Sequence, residues 1–221
     1  MFTLNPSSSD FLNSLEFLIK VIVGGGGLIL FYVGFRRYIK AQTWKKNEFV
    51  ANEIKNFNND KMVRNTRYML DWGKRYIELF PDKPEYNEKF ARVTRATLKS
   101  ALQSHRIKET FTKVEVAIRD HFDCFLNYFE KYQQFIEAGL ISEKELEPYL
   151  RYWIKTISDD IESDVKNTIH HYINEYGYPG VQQLFKGFGK DIIPKTPIET
   201  CRFNTEVEKE NSNDLETESV D

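Results

Sequence analysis

Histidine and cysteine, which serve most often in metal binding and nucleophilic catalysis, are few and scattered in this chain. The four histidines and two cysteines are His105, His121, His170, His171, Cys124 and Cys201. His121 and Cys124 would share one face of a helix, but two ligands are too few for a structural zinc site. The adjacent His170 and His171 point about 100° apart on a helix. We therefore expect no metal and no cofactor, and two cysteines are typical of a reducing compartment.

An acid–imidazole grouping occurs once, at Asp120, His121 and Asp123. Neighbouring residues on a helix point in different directions, so a catalytic constellation would need side chains from another helix. The sequence has no phosphate-binding loop, dinucleotide fingerprint or nucleophile elbow. These observations predict that the protein is not an enzyme, and an enzyme without a recognisable motif stays open as an alternative.

Two groups of basic residues could bind anions. The first, a basic collar directly after the longest apolar run, consists of Arg36, Arg37, Lys40, Lys45 and Lys46. A base near an anionic leaflet contributes about 1 kcal/mol, which favours binding of anionic lipid; a pure topology signal is the compatible alternative. The second group consists of Arg92, Arg95, Lys99 and Arg106 at near-helical spacing, and we interpret it as a solvated helix face. The net charge of -2 predicts no nucleic-acid partner.

An N-terminal segment has the composition of a membrane-spanning helix. Residues 21–35 contain no charge, and extension to 12–35 gives a helix of about 36 Å, enough for a hydrocarbon core of about 30 Å. Glu16 and Lys20 within it are spaced for a helical ion pair. The collar predicts, by the positive-inside rule, an N-terminus outside and a C-terminal domain in the cytoplasm. We expect a single-pass protein of the inner (plasma) membrane.

Four consecutive glycines interrupt the apolar run, at Gly24, Gly25, Gly26 and Gly27. Glycine weakens a helix in water but lets helix backbones approach closely in lipid. One interpretation is a tolerated patch of small residues. The other is a contact surface with a second helix, including Gly27 and Gly34 on one face, which would make the protein a homo-oligomer or a membrane-acting sensor. If leucine replaced Gly24 to Gly27 without consequence, the second interpretation would fail.

The rest of the chain predicts an all-α fold, with one transmembrane helix followed by a cytosolic helical bundle. Its longest apolar stripe, at helical spacing, comprises Val114, Ile118, Phe122, Phe125, Phe129, Tyr132 and Ile136. Asp60 is a predicted helix cap, Ser142 and Glu145 form a predicted capping box, and Phe90 and Val93 are placed on a helix. The type of structure within residues 73–85 stays open.

Five segments follow from this pattern. They are an extracytoplasmic N-terminus (1–11), the transmembrane helix (12–35), a basic juxtamembrane helix (36–57), a helical domain (58–193) and a disordered acidic tail (194–221). Eight acidic and three basic residues follow Pro194, and this charge and lack of periodicity are typical of disorder.

Several short stretches resemble bacterial proteins of uncharacterised function that have one N-terminal membrane helix and a helical domain. The stretches are WKKNEF (44–49), MLDW (69–72), IRDHFD (118–123), GLIS (139–142), PYLRYW (148–153) and YGY (176–178). The resemblance covers roughly residues 20–190 and implies the architecture but no activity. The hypothesis from sequence is a membrane-anchored interaction or scaffold module with a protein partner.

Overall fold

The computed structural model describes residues 8–193, and they are mostly helical. The helices are α1 (Ser8–Asn59), α2 (Lys61–Asp71), α3 (Tyr86–Lys89), α4 (Arg95–Ala101), α5 (Lys113–Glu137), α6 (Glu143–Lys155), α7 (Ser163–Glu175) and α8 (Pro179–Gly187). A π-helical turn, Thr156–Asp160, follows α6. The predicted acidic tail (194–221) and most of the predicted N-terminal segment (1–11) lie outside the described residues. The chain divides into two compact units between Ala51 and Asn52, ahead of the predicted domain start at residue 58.

The helix boundaries follow local sequence. The Asp60 carboxylate accepts hydrogen bonds from the Met62 and Val63 amides and begins α2, as predicted. Ser142 and Glu145 form the predicted capping box of α6, and Thr112 and Glu115 form another at α5. Gly139 adopts a φ of 69° after α5, a conformation that glycine tolerates at a helix end.

The core of the second unit is built around α5, which packs against α2, α4 and α8. The predicted stripe is confirmed: its central members Ile118, Phe122, Phe125, Phe129 and Tyr132 are fully buried. A second apolar stripe extends from Leu146 through Ile173. The π-helical turn, which contains Asp159 and Asp160, interrupts it between α6 and α7.

The prediction of a helix at Phe90 and Val93 was wrong. Strand β1 (Lys74–Glu78) pairs antiparallel with β2 (Phe90–Thr94), so the mostly helical domain also contains a β-hairpin. Ile77 and Val93 are buried on one face of this hairpin. A short apolar run fits a strand as well as a helix, and pairing with a distant segment decides between them.

Candidate functional site

The apolar segment of α1 is exposed within the part of the chain that the structure describes. Its most apolar stretch has a mean hydropathy of 2.0 and none of it is buried, and within residues 8–193 it is the one helix long and apolar enough to cross a membrane. Leu28, Leu30 and Phe31 each leave more than 70% of their surface exposed. The predicted pair of Glu16 and Lys20 is confirmed, with 2.6 Å between carboxylate and ammonium. A contiguous exposed apolar surface is typical of a contact with lipid or with another protein chain.

The basic collar lies on the same helix. The collar extends from Arg36 to Lys46, which is about 15 Å of helix. No acidic residue lies between Glu16 and Glu48, so the collar is a locally unbalanced positive charge. The Arg36 guanidinium donates a hydrogen bond to the Tyr32 hydroxyl at 3.1 Å. A tyrosine hydroxyl and a cation side by side are typical of a membrane–water interface.

The glycines of α1 serve no packing role within the described chain. A Cβ atom added at Gly25, Gly26, Gly27 or Gly34 would meet nothing within 4 Å, and the helix continues through the run. The side-chain surroundings of Gly24 lie outside what the structure describes. The contact surface predicted at Gly24–27 and Gly34 concerns a second helix, so it stays a prediction.

The histidines do not converge. His105 lies in the segment between α4 and α5, where its Nδ1 lies 2.5 Å from the Tyr176 hydroxyl. His170 is buried on α7 between the carbonyl oxygens of Ile157 and Ile193. Within residues 8–193, no group of three or more His, Cys, Asp or Glu side chains could hold a metal ion.

Both ring nitrogens of His121 are engaged inside the fold. Nδ1 lies 2.6 Å from the Ala117 carbonyl oxygen, so it carries the proton and donates. Nε2 therefore accepts from the Asn65 side-chain amide at 3.1 Å, and the same amide nitrogen donates to the Glu78 carbonyl at 2.9 Å. Burial lowers the pKa of His121, against the opposing effect of the Ala117 carbonyl. Because both of its ring nitrogens are hydrogen-bonded, His121 links α5, α2 and β1 and acts as a structural residue.

The members of the acid–imidazole grouping have different surroundings in the fold. Asp123 accepts hydrogen bonds from the hydroxyls of Tyr172 and Tyr178, at 2.6 and 2.7 Å. Asp120 is exposed. Burial and the neighbouring Asp60 carboxylate raise the pKa of the Cys124 thiol to about 11, which leaves little thiolate at neutral pH. Asp123 and Cys124 are therefore engaged by contacts within the fold, whereas Asp120 and His121 both line the cleft described below.

The second basic group is not a helix face, so that prediction was wrong. Arg92 lies on β2, whereas Lys99 on α4 pairs with Asp164 at 3.0 Å. The Arg95 guanidinium donates to the carbonyls of Met69 and Leu70. Because these bases point to different partners, they do not form one phosphate-binding surface.

A cleft of about 460 Å³, which was not predicted from the sequence, opens beside His121. The start of α2, the end of β1 and the first turns of α5 form its walls, which are mostly apolar. Leu79, Phe111 and Val116 are among these apolar residues, and Lys61, paired with Glu78 at 2.8 Å, lies at the polar side. A cleft of this size and composition can hold a small apolar molecule or one or two apolar side chains of a partner.

We expect the free energy of unfolding of the domain to decrease as the pH drops below about 6.5, because His121 then becomes protonated. Its folded-state pKa is depressed, so its contribution is fully present above the unfolded value of 6.5 and is lost progressively as the pH falls towards the folded value. Each unit of depression corresponds to about 1.4 kcal/mol. Denaturant titrations in detergent, followed by near-ultraviolet circular dichroism at neutral and acidic pH, measure this loss.

Two variants isolate the His121 contribution from that of His170, whose pKa burial also lowers. His121→Gln should have a smaller loss of stability on acidification than the wild type. Asn65→Asp places a carboxylate against Nε2, favours the imidazolium and should reduce the loss further. An identical loss of stability in all three proteins would show that His121 does not titrate in this way.

Comparison with known proteins gives no family assignment. No protein-family model and no curated protein matches the sequence, and no solved structure matches the fold. The resemblance to bacterial single-pass proteins therefore stays a prediction.

Proposed function

We propose that this chain is a single-pass membrane protein whose helical domain is an interaction or scaffold module. The observation that carries this proposal is the fully exposed apolar surface of α1 before the basic collar. At about 25 cal/mol per Å² of apolar surface, leaving such a helix in water is strongly unfavourable, and insertion into a bilayer removes that cost.

The orientation in this proposal follows from the collar. Its five bases stay on the cytoplasmic side, where anionic headgroups attract them, so the domain from Asn52 onward is cytoplasmic and the N-terminus lies outside. In a bacterial cell this membrane is the inner (plasma) membrane. The mostly apolar walls of the cleft, and the engagement of both His121 ring nitrogens inside the fold, support a binding role more than a catalytic one.

A substitution in the cleft tests whether the domain binds a protein partner there. Val116 lines it and is 46% exposed, so Val116→Lys introduces a charge into the apolar wall without burying it. Proteins that co-purify with the wild type from detergent-solubilised membranes should be lost with Val116→Lys. Gln134→Lys, at an exposed position of the same helix, is the matched control and should retain them. Repeated recovery of the wild type without partners would contradict a scaffold role, and equal capture by both variants would exclude the cleft as the recruiting surface.

A further inference from the structure

The outward face of the β-hairpin carries exposed cations and an aromatic ring. Tyr76 lies directly opposite Arg92, and Lys74 lies opposite Thr94. Residues paired in this way share one face of an antiparallel sheet. Because Ile77 and Val93 are buried on the other face, Lys74, Tyr76 and Arg92 point outward, and all three are exposed.

An exposed tryptophan adjoins this face. Trp72 directly precedes β1 and leaves 57% of its surface accessible. The Arg75 guanidinium lies over the Tyr68 ring, 3.9 Å from its centroid, and 5.4 Å from the Trp72 centroid. The indole therefore lies near a cation and still exposes more than half of its surface. We call Trp72, Lys74, Tyr76 and Arg92 together the hairpin face.

The balance of charge around the hairpin face is positive. Glu78 shares the outward side of β1 but forms an ion pair with Lys61 at 2.8 Å. Asp71, beside Trp72, accepts a hydrogen bond from the Tyr152 hydroxyl and remains one negative charge. Lys74 and Arg92 outnumber it, whereas Arg75 is paired with Val93 on the other face and lies over Tyr68. An anionic surface would complement this arrangement.

We propose that the hairpin face is a second membrane-contact surface, which binds the anionic headgroup region of the bilayer that holds α1. The proposal rests on the proposed function, because the membrane anchor on the same chain keeps the domain at a high effective concentration near lipid. Tryptophan and tyrosine place their apolar rings below the headgroups and their polar atoms towards water. Lysine and arginine lie beside them with the charge at the phosphates and the aliphatic stem along apolar surface. Because the anchor already holds the domain near lipid, a few contacts are sufficient for the hairpin face to bind.

The test uses quenching of Trp72 fluorescence by lipids with brominated acyl chains. The full-length Trp44→Phe protein, in nanodiscs, retains Trp72 and the buried Trp153. The same protein with Trp72→Phe added contains Trp153 alone. The difference in fluorescence between the two proteins is therefore the Trp72 signal. We expect strong quenching of Trp72 in nanodiscs that contain phosphatidylglycerol and little in phosphatidylcholine alone. Lys74→Glu with Arg92→Glu, or a high salt concentration, should abolish the quenching.

The outcomes separate this inference from the function on which it rests. If the protein stays in the nanodisc but Trp72 is quenched equally weakly in both lipids, the hairpin face does not bind lipid although the anchor stands. If the protein does not stay in the nanodisc, the proposed anchor fails and this inference fails with it. If a single-stranded oligonucleotide changes the Trp72 signal while lipid does not, the aromatic and basic residues bind nucleic acid and the lipid proposal is overturned.

Discussion

Replacement of Ile29 and Phe31 with aspartate is expected to release the protein from membranes into the aqueous fraction. Both side chains lie in the apolar run of α1 and are 65% and 72% exposed, so the chain itself offers no site in which to bury them. A charged residue at the centre of a membrane helix costs about 2.5–3.5 kcal/mol, and the pair therefore costs about 5–7 kcal/mol. Extraction of membranes with alkaline carbonate, followed by flotation, measures the partition.

The matched control for this experiment is Asn52→Asp with Asn56→Asp. These two positions are exposed on the same helix, outside the apolar run, and the substitutions change the charge by the same amount. The control should float with the membranes as the wild type does. If the Ile29 and Phe31 variant also floats, lipid does not cover that part of α1 and the proposed anchor is wrong.

Truncation of Phe57 to alanine is expected to destabilise the helical domain by about 3–5 kcal/mol. The ring, near the end of α1, is 1% exposed. It contacts four aromatic rings of α5 at centroid distances of 5.4 to 6.2 Å; these are Phe125, Tyr128, Phe129 and Tyr132. Loss of the ring removes this packing and leaves a cavity. The free energy of unfolding in detergent, from a denaturant titration, gives the size of the effect.

A substitution two residues away tests whether the effect is specific to packing. Lys55 is exposed on the same turn, so Lys55→Ala should change the free energy of unfolding by less than about 0.5 kcal/mol. A similar small change for Phe57→Ala would mean that the end of α1 is not part of the domain core. The predicted boundary at residue 58 would then describe the domain better than the boundary before Asn52.

The features predicted best from sequence are those determined by neighbouring residues. The α5 stripe, the Asp60 cap and the capping box at Ser142 each depend on residues within a few turns, so spacing is sufficient to find them. The apolar span and the collar are also contiguous in sequence. Their composition predicted a helix that is long and apolar enough to span a membrane, and the structure contains that helix.

Features created by distant contacts could not be read from the sequence. The hairpin forms because residues 74–78 pair with residues 90–94, and the helical spacing of Phe90 and Val93 concealed it. Asn65 and His121 are 56 positions apart, and their hydrogen bond fixes the ring that lies in the wall of the cleft. The cleft itself combines three separate elements. The alternation of Tyr76, Ile77, Glu78 and Leu79 was a weak strand signal that, with the loop after it, could have indicated the hairpin.

Protease accessibility of the wild-type chain in a bacterial host tests the membrane topology most directly. In intact spheroplasts, the domain after the collar should resist added protease, and in inverted inner-membrane vesicles it should be digested. Protein that is released by carbonate, or a domain that is digested in intact spheroplasts, would contradict a helix that crosses the bilayer with its basic end in the cytoplasm.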